Sequence, residues 1–138
     1  MGKLVERLHD VSRSGVYRAR SVDVVLDAAH EGKLDVAEVD LSEAPALTAI
    51  AKALDFPDWF GNNWDALEDC LGDLSWRNAS GHVIVFARHE KLSKDDLGVL
   101  IDVLKSSAEF WAERGAPFFA VFIDPPRALS LPDLYRDA

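Results

Sequence analysis

Positive charge, sulfur and long apolar runs are all scarce in this chain. Of its 138 residues, 15 are Lys or Arg against 24 Asp or Glu, giving a formal net charge of −9 and a pI near 4.8. This balance argues against binding nucleic acid, because the phosphate backbone is held chiefly by Lys and Arg and repels an acidic surface. A basic partner fits the charge better. Cys70 is the only cysteine, so no internal disulfide can form, and its apolar-flanked helical setting marks a small core residue rather than a reactive thiol. No apolar stretch approaches the roughly 20 residues of a membrane-spanning helix. The start, Met1-Gly-Lys-Leu-Val-Glu-Arg7, lacks the apolar core of a secretory signal. A soluble, cytoplasmic protein without membrane contact is expected.

Chemistry-bearing constellations are equally sparse. The four histidines, His9, His30, His82 and His89, show no ligand spacing, and no Gly-rich phosphate loop or nucleophile arrangement is present. We therefore expect no enzyme, no cofactor and no metal. There is also no internal repeat or interdomain linker. At this length, with 49% hydrophobic residues, one domain can bury a core without staples.

What is present is concentrated. Between Ala53 and Trp76 lie six acids, no Lys or Arg, and three of the four tryptophans. These 24 residues carry −6 of the −9, leaving −3 for the other 114. Charge serving only solubility is usually scattered, so the clustering points to a function.

Around that stretch, alternating helix and strand signals imply a parallel sheet flanked by helices. Met1 to Arg13 reads as a short polar helix or arm, loosely attached. Val16 to Arg20 alternates weakly and can form an edge strand. Ser21 caps a helix with Val22, Val25, Leu26 and Ala29 on one face, stopped by Gly32. Leu34 to Leu41 is extended. Ser42 and Pro45 signal the start of a helix with Leu47, Ile50, Ala51 and Leu54 inward.

Asn62 or Asn63 should begin the next helix, which ends near Gly72. The apolar runs His82–Ala87 and Phe118–Ile123 have the composition of strands covered on both faces. Between them Ser93 to Asp96 resembles a capping box, followed by the surest helix, with Leu97, Leu100, Ile101, Leu104, Ala108 and Trp111 at three- and four-residue steps.

If residues 63–73 are helical, Asp65 and Asp69 stand one turn apart on one face and Glu68 follows Asp65 by three. Like charges so placed cost about 0.2–0.5 kcal/mol per pair, and no nearby Lys or Arg offsets it. Asp65 gains from the helix dipole in the first turn, whereas Asp69 lies too far along, so local stability does not account for Asp69. Trp64, Leu67, Leu71 and Leu74 form the apolar stripe opposite, with Cys70 and Trp76 also assigned to the core. Trp59 and Phe60 occupy a Pro- and Gly-bounded loop. Two large rings there are either a plug packed beneath the loop or a presented contact surface.

The run Phe56-Pro-Asp-Trp-Phe-Gly-Asn-Asn-Trp-Asp-Ala-Leu-Glu-Asp-Cys-Leu71 resembles the signature of the barstar family of ribonuclease inhibitors. In that pattern a Pro, an acid, two aromatics, Gly, a polar residue, Asn and an apolar residue lead into Asp-Ala-Leu, one variable position and Asp-Cys-Leu. The resemblance covers about residues 34–124. It implies a single barstar-like α/β domain with a mainly parallel three-stranded sheet, strands near 35–41, 82–87 and 117–123, an N-terminal extension over 1–33 and a tail over 125–138.

It further implies an inhibitor or immunity protein, monomeric when free, that plugs the basic active site of a guanyl-specific type of ribonuclease. Asp69 would take the cationic pocket built for substrate phosphate, and Asp65 would engage an arginine near the guanine site. Trp59 would lie against the catalytic histidine, with Asp58, Phe60, Gly61, Asn63, Trp64 and Glu68 completing the contact face. Glu68 stands at the variable position, where the family often has tryptophan. Phe110, with Glu109 beside it, stands where a further acid on the long helix would be sought. The alternative is a barstar-like module for a different basic toxin or enzyme.

Overall fold

The computed structural model describes residues 2–42 and 45–136. Its elements are α1 (Gly2–His9), β1 (Gly15–Ala19), α2 (Val22–Glu31), β2 (Asp35–Asp40), α3 (Ala46–Ala53), α4 (Trp64–Leu71), β3 (His82–Ala87), α5 (Lys94–Glu113) and β4 (Phe118–Ile123), with 3₁₀ turns at Val11–Arg13 and His89–Lys91. The strands form one all-parallel sheet in the order β1-β4-β3-β2. The three-stranded expectation is thereby corrected to four. Val16, Tyr17 and Arg18 of β1 align with Ala120, Val121 and Phe122 of β4.

Chain direction explains how the helices divide between faces. From β2 to β3 to β4 the chain steps one way across the sheet, whereas from β1 to β2 it crosses back the other way. Parallel crossovers are right-handed, so the two directions send their helices to opposite faces. Accordingly α3, α4 and α5 cover one face, over Val39, Ile84, Phe86, Phe118, Ala120 and Phe122. On the other, Leu4 and Leu8 of α1 and Val25, Ala28 and Ala29 of α2 cluster with Val83, Val85, Phe119 and Val121. The two central strands are apolar on both sides because both sides are covered.

The N-terminal helix is therefore no loose arm. Leu4 and Leu8 are buried, and the His9 ring bonds the Gly32 carbonyl at 2.8 Å. The C-terminal segment is also committed. Residues Pro132 and Leu134 exchange backbone hydrogen bonds with Arg18, and the Arg18 guanidinium pairs with Asp133 at 2.8 Å and bonds the Leu129 carbonyl. This closes the outer edge of β1, an edge that would otherwise invite pairing with another chain. Asp124 fixes the turn by accepting the N–H groups of Ala128 and Leu129, and His89 lies 3.2 Å from it.

Most helix starts follow the sequence signals. Ser21, Asn63 and Ser93 each accept the N–H three residues on. Ser42 does not act as a start signal, since its N–H and hydroxyl both donate to Asp40, and Pro45 occupies the cap of α3 instead. Among the α3 residues expected inward, Ile50 and Leu54 are buried, while Leu47 and Ala51 are half-buried and Ala46 takes their place.

Candidate protein-contact face

The acid-rich segment is built on α4. Its buried side, Leu67, Cys70 and Leu71, packs into the core, which fixes the rotation of the helix and turns Asp65, Glu68 and Asp69 to solvent. At its start the Asn63 side chain accepts the Ala66 N–H at 2.8 Å. At its end the Trp111 indole N–H donates to the Leu71 carbonyl at 2.7 Å, tying the last turn to α5. Burial pushes the Cys70 thiol pKa up, and the carboxylates of Asp73 and Asp69 push it the same way. Cys70 is thus a poor nucleophile, consistent with its place in the core.

Among the described residues no cation pairs with Asp65, Glu68 or Asp69; the ion pairs lie elsewhere. Glu68, Asp69 and Gly72 instead line a depression of about 310 Å³ together with Ser106, Ser107 and Phe110 of α5. Phe110 is half-buried, and the Arg114 guanidinium stacks 3.5 Å above its ring. At this corner the face carries a ring under a cation instead of an acid.

The loop before α4 presents the aromatics. Asp58, Gly61 and Asn63 are exposed, and Trp59 is 59% exposed, the largest such apolar side chain among the described residues. Phe60 is half-buried, its ring edge-on to Phe56 at 4.9 Å, and its N–H closes a turn onto the Pro57 carbonyl at 3.0 Å. The two readings of these rings therefore divide between them: Phe60 is the plug and Trp59 is presented. Asn62 adopts a left-handed φ of 55°, which its short polar side chain tolerates. A Cβ at Gly61 would approach the Ala66 Cβ to 3.3 Å, so a side chain there would push the loop and α4 apart by a few tenths of an ångström. Trp64 is half-buried against the core.

Beneath the loop lies a cluster that local sequence did not reveal. The Trp76 indole N–H donates to the Leu54 carbonyl at 2.8 Å, and its ring meets Phe56 and Trp59 edge-on at 5.9 and 6.2 Å. Trp76 is half-buried and, like Trp64, packs against the margin of the core. Next to it the Arg77 guanidinium bonds both oxygens of Asp35 at 2.8 Å, and His82 bonds the same carboxylate at 2.9 Å. Partners 22 and 42 residues away leave no periodic signal; the one available clue was an isolated Arg directly after an acid-rich stretch.

Burial works against the charged form of Asp35, but the hydrogen bonds from Arg77 and His82 outweigh it and hold its pKa below the usual aspartate value. A depressed folded-state pKa stabilises the fold above about pH 4 and is lost as pH falls through the folded value. The parent should therefore lose stability on acidification, and Asp35→Asn, already weakened at neutral pH, should lose less. Denaturant midpoints at pH 7 and pH 3 check this. A stability gap between the two proteins as wide at pH 3 as at pH 7 would contradict it.

Fold and face together define a small parallel α/β protein that displays unpaired carboxylates and an exposed indole on adjoining elements. The chain belongs to the barstar family: the family profile described as "Barstar (barnase inhibitor)" matches residues 30–123, about two thirds of its length. No curated protein and no solved structure gives a significant match. The matched stretch begins at the end of α2, so α1 and β1 fall outside it. Among the described residues no helix is long and apolar enough to cross a membrane, and no cluster of three or more His, Cys, Asp or Glu is arranged to hold a metal.

Proposed function

We propose that this protein inhibits a basic ribonuclease by covering its active site with the loop 58–64 and the exposed side of α4. The observation that carries the reading is the set Asp65, Glu68 and Asp69, solvent-facing on one two-turn helix with no cation partner among the described residues, beside the exposed Trp59. A nuclease that handles RNA needs a cationic cleft. Such a cleft attracts a clustered negative surface and accepts carboxylate oxygens where it would hold phosphate oxygens. In this scheme Asp69 takes the phosphate site, Asp65 pairs with an arginine near the guanine site, and Trp59 packs against the catalytic histidine. Asp58, Phe60, Gly61, Asn63, Trp64 and Glu68 shape the rest of the contact. The protein acts in the cytoplasm, as a monomer when free, protecting the cell that makes or receives the nuclease.

One observation favours a second reading, a barstar-like module for a different basic toxin or enzyme. Arg114 over Phe110 puts a cation and a ring at a corner where an acid would be sought, and Glu68 puts a charge where a ring is frequent. A pull-down from the source cell, comparing the parent with Asp65→Ala/Asp69→Ala, separates the readings. We expect one basic protein with ribonuclease activity to be captured by the parent and lost from the double variant. Capture of a basic protein without ribonuclease activity would favour the second reading, and equal capture by both proteins would remove the acidic face from either.

A further inference from the structure

We infer that Trp76 and Arg77 are positioning residues that hold the aromatic contact loop in its binding pose before any partner arrives. The link to inhibition rests on the function proposed above; the ordering of the loop does not. From Asp55 to Asn62 the chain has little internal support. It begins and ends with left-handed residues, Asp55 at φ 53° and Asn62 at φ 55°. Its backbone bonds are few: Asp55 N–H to the Lys52 carbonyl at 3.4 Å, Phe56 N–H to the Ala51 carbonyl and Phe60 N–H to the Pro57 carbonyl.

The Asn63 side chain adds a bond to the Gly61 carbonyl and Phe56 packs on Phe60, and further contacts come from the segment after α4. Trp76 holds the Leu54 carbonyl at the loop's entrance, and its ring stands edge-to-face with both Phe56 and Trp59. Arg77 reaches Asp55 at 3.5 Å. Because Asp55 is 83% exposed, that bridge orients more than it stabilises. The far side of the Arg77 guanidinium is anchored on Asp35, which is held in turn by His82 at the start of β3. The loop is thus referenced to the sheet itself.

The backbone carries a sign of the same design. Leu74, a branched residue, sits at φ 48°, a conformation that side chains of its kind rarely adopt. It is nonetheless buried, and its carbonyl accepts the Arg77 N–H at 2.9 Å. Strain of this kind persists where the surroundings enforce it, and here it turns the chain so that Trp76 and Arg77 arrive beneath the loop. A loop already ordered does not have to be immobilised on binding, so losing the platform should weaken binding about tenfold without touching a contact residue.

The experiment uses the full chain with Trp76→Phe, Trp76→Leu and Arg77→Lys. In the free protein, hydrogen exchange is followed at the Phe60 amide, and 5-fluorotryptophan reports on Trp59, its resonance assigned with Trp59→Phe. Inhibition is titrated against guanyl-preferring microbial ribonucleases. Expected for Trp76→Leu are faster exchange at Phe60 with unchanged exchange in β3 and β4, a Trp59 resonance moved toward that of exposed indole, and about tenfold weaker inhibition. Trp76→Phe, keeping a ring edge but no N–H, should fall between it and the parent. Arg77→Lys, keeping charge but not the fork, should loosen Phe60 as well.

Unchanged exchange and resonance in the folded variants would overturn the inference. So would a loosened loop that inhibits within twofold of the parent. If Trp76→Leu fails to fold, Trp76→Phe and Arg77→Lys decide the matter. A parent that inhibits no ribonuclease would count against the proposed function, and the two measurements on the free protein would still decide whether the platform orders the loop.

Discussion

Asp69→Ala is expected to weaken the complex with the cognate ribonuclease by at least about 2 kcal/mol, roughly 30-fold, while leaving the protein as stable as the parent or slightly more so. The two effects have opposite signs because Asp69 has no structural task. It lies in the last turn of α4, where the helix dipole disfavours an acid, one turn from Asp65 and one turn from Asp73 in the following loop. No described cation pairs with it. Alanine removes two like-charge neighbours and raises helix propensity, each worth a few tenths of a kcal/mol. In the complex the same carboxylate fills a pocket made for phosphate, and truncation leaves the nuclease's cations buried without an anion.

Glu68→Ala should cost far less. The docking scheme gives its exposed carboxylate no cationic pocket of its own, so water can replace it. A thermal melt of each free variant beside a titration against the nuclease makes the comparison. If Asp69→Ala inhibits as tightly as the parent, the docking scheme is wrong; if it melts well below the parent, Asp69 has a structural role after all.

Much of this architecture could be read from local sequence because its signals are local. Ser21, Asn63 and Ser93 act on the N–H three residues ahead, and the runs His82–Ala87 and Phe118–Ile123 are apolar at every position because helices cover both faces. The outward turn of Asp65 and Asp69 follows from the same spacing that buries Leu67 and Leu71. What escaped was set by partners far along the chain. Val16 to Arg20 had the alternation of an edge strand, yet only pairing with β4 makes it the fourth strand, and the family signature lies entirely beyond it. The C-terminal segment offers no periodicity, and its role appears only where it meets Arg18. Trp76 packs against the core, as a large ring near a core stripe should. Its indole N–H, however, needs an acceptor, and the Leu54 carbonyl at the loop entrance supplies one.

Leu8→Ala should destabilise the protein by about 2–4 kcal/mol, lowering the melting temperature by on the order of 10 °C. In the sequence Leu8 belongs to a short polar segment, and an arm of that composition held loosely would lose no more than about 0.5 kcal/mol on such a change. In the structure Leu8 is fully buried, in a cluster with Val25, Ala28 and Ala29 of α2 and Phe119 and Val121 of β4. Removing three carbons there forfeits their transfer free energy and leaves a space that the rigid sheet behind it fills poorly.

Val99→Ala, on the exposed side of α5, is the matched control and should change stability by less than about 0.5 kcal/mol. The sheet also separates Leu8 from α4, which lies across the opposite face. Below its melting range, Leu8→Ala should therefore inhibit like the parent. It loses stability and keeps binding, whereas Asp69→Ala keeps stability and loses binding. A Leu8→Ala protein that melts with the parent would return α1 to the status of an arm, and one that is folded but inhibits poorly would mean that the two faces are not independent.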